Sequence, residues 1–112
     1  MPKKPVVAPA LTQPMHLILL VLLQGNRHGY AIMQGVEALT DGAVRMGPGT
    51  LYGAIKRLLR ADLVADAGDR HEAGDERRRY YRITLQGRAA VRAETKLMQR
   101  VLAFARLHGG TA

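Results

Sequence analysis

The sequence predicts a mainly α-helical protein with one small β-hairpin. Three observations predict it: three apolar segments of helical spacing, a short alternating stretch over Arg78 to Thr84, and a long helical period from Thr84 to Leu107. At 112 residues, 47% hydrophobic and 23% charged, the chain has the size and mixture of one folded domain, not of a disordered tail.

Met1 to Pro14 holds four of the five prolines (Pro2, Pro5, Pro9, Pro14) and two lysines, Lys3 and Lys4, without any period. It reads as a flexible basic arm over residues 1–14. From Met15 to Gln24 almost every position is apolar, so the first helix has little solvent face and belongs to the core, with Gly25-Asn26 as its stop. Gly29 to Thr40 spaces Ile32, Val36 and Leu39 as one helical face, and Asp41-Gly42 ends it. Gly47-Pro48-Gly49-Thr50 opens a third helix running to about Ala61, with proline where the first turn tolerates it. Leu51, Ile55, Leu58 and Leu59 are its expected apolar face. Gly49, Gly53, Lys56, Arg57 and Arg60 lie opposite, with Tyr52 on the flank.

A β-compatible stretch from Leu63 to Ala67, a polar tip from Gly68 to Arg77 and the alternation of Arg78 to Thr84 make a two-stranded hairpin. The last helix, residues 85–108, carries Leu97, Met98, Val101, Leu102, Phe104 and Leu107 on more than one stripe. One small domain cannot cover all of them. At about 1.5–3 kcal/mol per large side chain fully buried, leaving four exposed forfeits an amount comparable with the stability of a small domain. A second copy of the helix is the natural cover, and an amphipathic helix folded back on its own core is the alternative.

Several function classes fall away on composition. With no cysteine there is no disulfide, thiolate metal site or cysteine nucleophile, and with no serine there is no Ser/His/Asp triad. Gly47-Pro48-Gly49-Thr50 lacks the lysine of a phosphate-binding loop, and the four scattered histidines lack ligand spacing. No enzyme, cofactor or metal is expected. The longest apolar run, Leu17 to Leu23, is far short of the roughly 18 residues that cross a bilayer, so no membrane partner is expected and the cytoplasm is the expected location.

The charge points to a polyanion. Seventeen Lys plus Arg against nine Asp plus Glu leave a net charge of +8. Three short helices followed by a hairpin are the plan of a winged helix-turn-helix, in which the third helix enters the major groove and the hairpin lies along the backbone. The third helix has no acid before Asp62, whereas a solvated face usually mixes signs. Gly49 and Gly53 cost about 1 kcal/mol each in an interior helical position, a cost that close approach of a DNA backbone or base edge would offset. The competing explanation seats another protein element against Gly53. Arg77, Arg78 and Arg79 would sit on the wing beside phosphate or a minor groove, with Arg79 turned inward beside Tyr81. The competing explanation is a solubilising cluster paired with Glu72, Asp75 and Glu76.

Three blocks, His28-Gly29-Tyr30-Ala31-Ile32, Gly49 to Leu58, and Arg79 to Thr84 with Gly87-Arg88, together resemble the PadR family of bacterial transcriptional regulators. The resemblance covers about Met15 to Arg106. It implies a winged-helix domain over residues 15–84 and a dimerisation helix over 85–108. It further implies a homodimeric repressor on a pseudo-palindromic double-stranded operator, relieved by a small molecule or another signal. By the matching blocks, Thr50, Tyr52 and Lys56 face DNA, and Tyr30 lies near or braces that surface. The family usually has proline where Gly53 stands and commonly serine where Gly47 stands, departures that bear on base preference rather than fold. Without tryptophan, an aromatic clamp for a flat effector is not expected. A winged-helix protein-interaction module and a sequence-blind DNA-binding protein are the alternative functions.

Overall fold

The structure, a computed structural model, describes residues 10–71 and 77–109. Its elements are α1 (Gln13–Leu22), β1 (Arg27–His28), α2 (Gly29–Leu39), α3 (Pro48–Arg60), β2 (Val64–His71), β3 (Arg77–Ile83) and α4 (Leu85–His108). The three strands form one antiparallel sheet in the order β1-β3-β2. Three helices, a hairpin wing and a long terminal helix are thus arranged as a winged helix-turn-helix, with one strand that the sequence pattern does not disclose.

α1 is the centre of the core. Met15, Ile18, Leu19, Val21 and Leu22 are buried, and the helix touches α2, α3, α4 and β3. His16 is buried with them, and its Nε2 has no hydrogen-bond partner among the described residues. The helix starts at Gln13, two residues before the expected Met15. Pro14 sits in the first turn, where its missing N–H costs nothing, and the Thr12 hydroxyl accepts a hydrogen bond from the Met15 N–H at 3.3 Å. The sequence reading of residues 12–14 as arm is therefore replaced by a helix start. Leu11, half-buried, packs against the core. Residues 1–9 of that arm lie outside the described residues.

α2 ends at Thr40, where Asp41 and Gly42 take φ of 51° and 79°. The Thr40 hydroxyl donates to the Val36 carbonyl at 2.9 Å and accepts from the Val44 N–H at 3.0 Å, tying the turn into α3. Two expected core leucines are not in the core. Leu39 is 52% exposed and Leu59 37% exposed, because Val36 and Ile32 on α2, and Leu51, Ala54, Ile55 and Leu58 on α3, already fill the space against α1. The face of α3 is centred on Ala54, one small residue the hydrophobic count passed over.

The junction of α3, β2 and α4 is closely tied. Asp62 takes φ of 59°, and the Leu63 N–H reaches back to the Leu58 carbonyl at 3.0 Å. Thr84 caps α4: its hydroxyl accepts from the Gly87 N–H at 2.9 Å and donates to the Asp62 carbonyl at 2.6 Å. Gly87 lies against the Leu63 carbonyl so closely that a Cβ there has no room. Ala90 and Val91 are also buried, so the first two turns of α4 belong to the winged domain.

Beyond Val91 the helix leaves the core. Its 24 residues span about 36 Å, and every position from Thr95 to Gly109 is exposed. It does not fold back on its own domain. The radius of gyration, 16.2 Å, exceeds the roughly 13 Å of a compact chain of this length for that reason.

Leu58→Ala is expected to cost about 2–5 kcal/mol of unfolding free energy in urea titration, and Leu59→Ala less than about 1 kcal/mol. Equal costs would contradict the rotation of α3 described above.

Candidate nucleic-acid interface

Burial of Leu51, Ala54, Ile55 and Leu58 turns the rest of α3 outward. Gly49, Thr50, Tyr52, Gly53, Lys56, Arg57 and Arg60 are all exposed. A Cβ added at Gly49 or Gly53 would meet nothing within 4 Å, so among the described residues no other part of the chain is seated there. The face is open, carries three cations and has no carboxylate of its own helix. Such a surface can accept phosphates at Lys56, Arg57 and Arg60, and admits a base edge or sugar closely at its two glycines.

Tyr52 is held in place by α2. Gly29 is buried at the start of that helix, and a Cβ on it would lie 2.5 Å from the Tyr52 Oη and 3.0 Å from Cζ. The tyrosine therefore lies across a bare backbone, half of it (51%) in solvent. His28 caps the same helix: its Nδ1 accepts from the Ala31 N–H at 3.1 Å and faces Arg78 Nη1 at 3.3 Å, which places the ring proton of the neutral form on Nε2. The Arg78 guanidinium lies 5.8 Å from the centre of the exposed Tyr30 ring, a distance at which the cation meets the ring's negative face. Tyr80 stands edge-on to His28 at 5.3 Å, with Arg70 stacked 4.5 Å over it.

The wing arginines are not equivalent. Arg78 is the one that turns toward the helices, whereas the Arg79 side chain, expected to turn inward, is 60% exposed. Arg79 Nε lies 3.5 Å from Asp66 and 3.4 Å from Asp69, and Arg77 lies 3.9 Å from Asp69. Residues three apart on a strand ordinarily face opposite ways. A bulge between Asp66 and Asp69, with Gly68 at φ of 90° and its N–H bonded to the Asp66 carboxylate at 2.7 Å, brings both acids to one side. Asp66 first, then Asp69, raise the Arg79 pKa further above its already high ordinary value. Burial pushes the Tyr81 phenol up, with Tyr52 adding to it, so Tyr81 keeps its proton. Exposed pairs of this kind contribute little to stability, so a phosphate can compete for Arg77 and Arg79. Glu72, Asp75 and Glu76, the expected partners, lie outside the described residues.

The structure thus brings Tyr30, Tyr52 and Arg77 to Arg79 around one pocket of about 200 Å³, together with His28, Gly29 and Tyr81. Lys56, Arg57 and Arg60 lie further along α3. His28 and Gly29 are members that pattern reasoning missed, since a two-residue strand shows no alternation and a cap histidine has no periodic signature. Among the described residues no three His, Asp or Glu side chains come together as a metal site, and no helix is long and apolar enough to cross a membrane.

An exposed helix flanked by a hairpin on a three-helix core defines a winged helix-turn-helix protein. The family model described as the transcriptional regulator PadR-like family matches residues 18–93, and the chain belongs to that family. It is 35% identical over 74 residues, 65% of its length, to an uncharacterized protein of Lysinibacillus sphaericus. It is 38% identical over 85 residues, 76% of its length, to an uncharacterized 37.1 kDa protein in transposon TN4556 of Streptomyces fradiae. The chain spans 66% of the first relative's length and 23% of the second's. In fold it is similar to a PadR family transcription regulator of Clostridium difficile, with a TM-score of 0.76 at 20% identity over 88% of this chain and 100% of that one. It is likewise similar to Bacillus subtilis PadR in complex with operator DNA, with a TM-score of 0.64 at 16% identity over 72% of this chain and 45% of that one.

Gly29→Ala should move the Tyr52 ring, read as changed Tyr52 ring-proton shifts, without loss of helical circular dichroism. Combined with Tyr52→Phe, which removes the nearest clashing atom, it should show a coupling energy of about 0.5 kcal/mol or more in a double-mutant cycle. Strict additivity would deny the contact.

Proposed function

We propose that the protein is a sequence-specific DNA-binding transcriptional regulator that works as a homodimer. The observation that carries this reading is the outer face of α3: open, cationic, without a carboxylate, and covered by no other described part of the chain. In this reading α3 enters the major groove with Thr50, Tyr52 and Lys56 toward the bases. Gly49 and Gly53 allow close approach, and Arg57 and Arg60 take phosphates. The wing arginines Arg77 to Arg79 contact the backbone alongside, and Tyr30 braces Arg78. Support comes from membership of a family of transcriptional regulators and from a fold shared with a PadR that is bound to operator DNA.

The dimer reading rests on α4. Leu97, Met98, Val101, Leu102, Phe104 and Leu107 are all about half exposed or more, Phe104 at 66% and Leu107 at 77%, on a helix that has already left its own core. A second copy of this helix covers them. Twofold pairing then sets two copies of α3 on successive major-groove faces, about 34–36 Å apart, and makes the operator pseudo-palindromic. Repression relieved by a small molecule or another signal completes the reading, on the family's precedent.

The test is the affinity for a duplex selected from a random pool by the full chain, against a scrambled duplex at the same salt. A ratio of about 10³ or more is expected, and equal affinities would instead support a sequence-blind role. Lys56→Ala should weaken binding to the selected duplex at least tenfold, with an unchanged unfolding midpoint. Leu97→Glu combined with Val101→Glu should give a folded monomer in analytical ultracentrifugation, and a persistent dimer would refute the role assigned to α4.

A further inference from the structure

The side of the sheet turned away from the core carries a second cationic surface. Tyr81 and Ile83 are buried, so Tyr80 and Arg82 project from the opposite side of β3, and Arg78 stems from that side too. Across the strand pairs Arg70 lies opposite Arg78, and His28 lies opposite Tyr80. The side-chain contacts agree with this register. Arg70 stacks 4.5 Å over the Tyr80 ring, Tyr80 stands edge-on to His28, and His28 Nδ1 faces the Arg78 guanidinium.

The bulge sorts charge between the two sides. Asp66 and Asp69 both go to Arg79, which shares the core-facing side with Tyr81. Among the described residues of the sheet, the far side therefore holds Arg70, Arg78 and Arg82 and no carboxylate. Arg70 and Arg82 are exposed, and neither forms an ion pair among the described residues. Two arginines set directly opposite one another destabilise the strand pair, and a face that serves only solubility usually mixes signs. A polyanion laid across the row offsets that repulsion. Stacking on Tyr80 positions Arg70 without neutralising it, so its N–H donors stay available to phosphate.

Continuity with the α3 surface selects the partner. Arg78 also lines the pocket shared by Tyr30 and Tyr52, so the row begins at the edge of the face assigned to DNA. From Arg78 to Arg82 it runs along β3 for about 14 Å at 3.4 Å per residue, or about four base-pair steps of duplex. We propose that the far side of the sheet, through Arg70 and Arg82, binds the phosphate backbone of duplex DNA flanking the base pairs under α3. This rests on the reading of α3 as the DNA face. The contact adds affinity without sequence preference, because phosphates carry no base identity.

The test compares the full chain, Arg70→Gln/Arg82→Gln, Arg70→Lys/Arg82→Lys and Lys56→Ala over a salt series, with circular dichroism checking that each variant is folded. Two duplexes are used: one trimmed to the base pairs protected under α3, and one extended by about one helical turn, roughly 10 base pairs, on each side. Each lost phosphate contact lowers the slope of log affinity against log salt by about 0.9, so on the long duplex the glutamine variant should lose about 1.8 per bound chain. Between 50 and 200 mM salt that difference amounts to about a twelvefold smaller fall in affinity. On the trimmed duplex the slope should not change, and the lysine variant should keep the full slope on both. Scrambling the flanks should leave these results as they are. An unchanged slope for the glutamine variant on the long duplex, while Lys56→Ala still weakens binding, overturns this proposal alone. Equal losses on both duplexes place the two arginines inside the α3 footprint and overturn it as well. Loss of binding to phosphatidylserine vesicles with the DNA slope intact assigns the face to a membrane surface, and the proposal fails. Absence of salt-dependent binding by the unmodified chain overturns the reading of α3 and this proposal with it.

Discussion

The rotation of α3 about its own axis is the constraint from which the remaining features follow. Leu51, Ala54, Ile55 and Leu58 go under α1 because burying three large aliphatic side chains is worth several kcal/mol, about 1.5–3 kcal/mol each. No alternative rotation buries as much, since the opposite side offers only Gly49, Gly53 and cations. Once that choice is made, the bare and basic side must face solvent. Tyr52, on the flank, must land on the start of α2. The absence of a side chain at Gly29 then lets the two helices meet there without pushing the ring away.

The other half of the architecture depends on a few backbone contacts at the end of α3. Thr84 bonds both to the Asp62 carbonyl and to the Gly87 N–H, and Gly87 sits on the Leu63 carbonyl. These contacts couple the direction of α4 to the end of α3. The apolar distal half of α4 is therefore projected from a rigid base, set by a hydroxyl and a missing side chain.

The wing shows how local irregularity organises charge. Without the bulge at Gly68, Asp66 and Asp69 would fall on opposite sides of β2 and only one could reach Arg79. With it, both acids hold the guanidinium of Arg79, and Asp69 alone also lies 3.9 Å from Arg77, while Arg78 is directed inward to His28 and Tyr30. Three consecutive arginines consequently have three environments: paired at long range, braced, and doubly paired. A count of charges along the sequence treats them as one cluster.

The succession of three helices, a hairpin and a long helix was legible from residue order alone, because periodicity of apolar residues records which face each element buries. The exposed cationic face of α3 and the uncovered stripe of α4 were legible for the same reason. Leu39 and Leu59 misled because helical spacing reports what could be buried, whereas the room beside α1 was already taken by Ile32, Val36, Ala54 and Leu58. Strand β1, the histidine cap, the Tyr52 seat on Gly29 and the pairing of Arg79 with two aspartates were decided only in three dimensions. The histidine cap is a single local bond, and the others depend on contacts between residues distant in sequence or on a bulge that shifts register; none of these leaves a periodic trace in the chain.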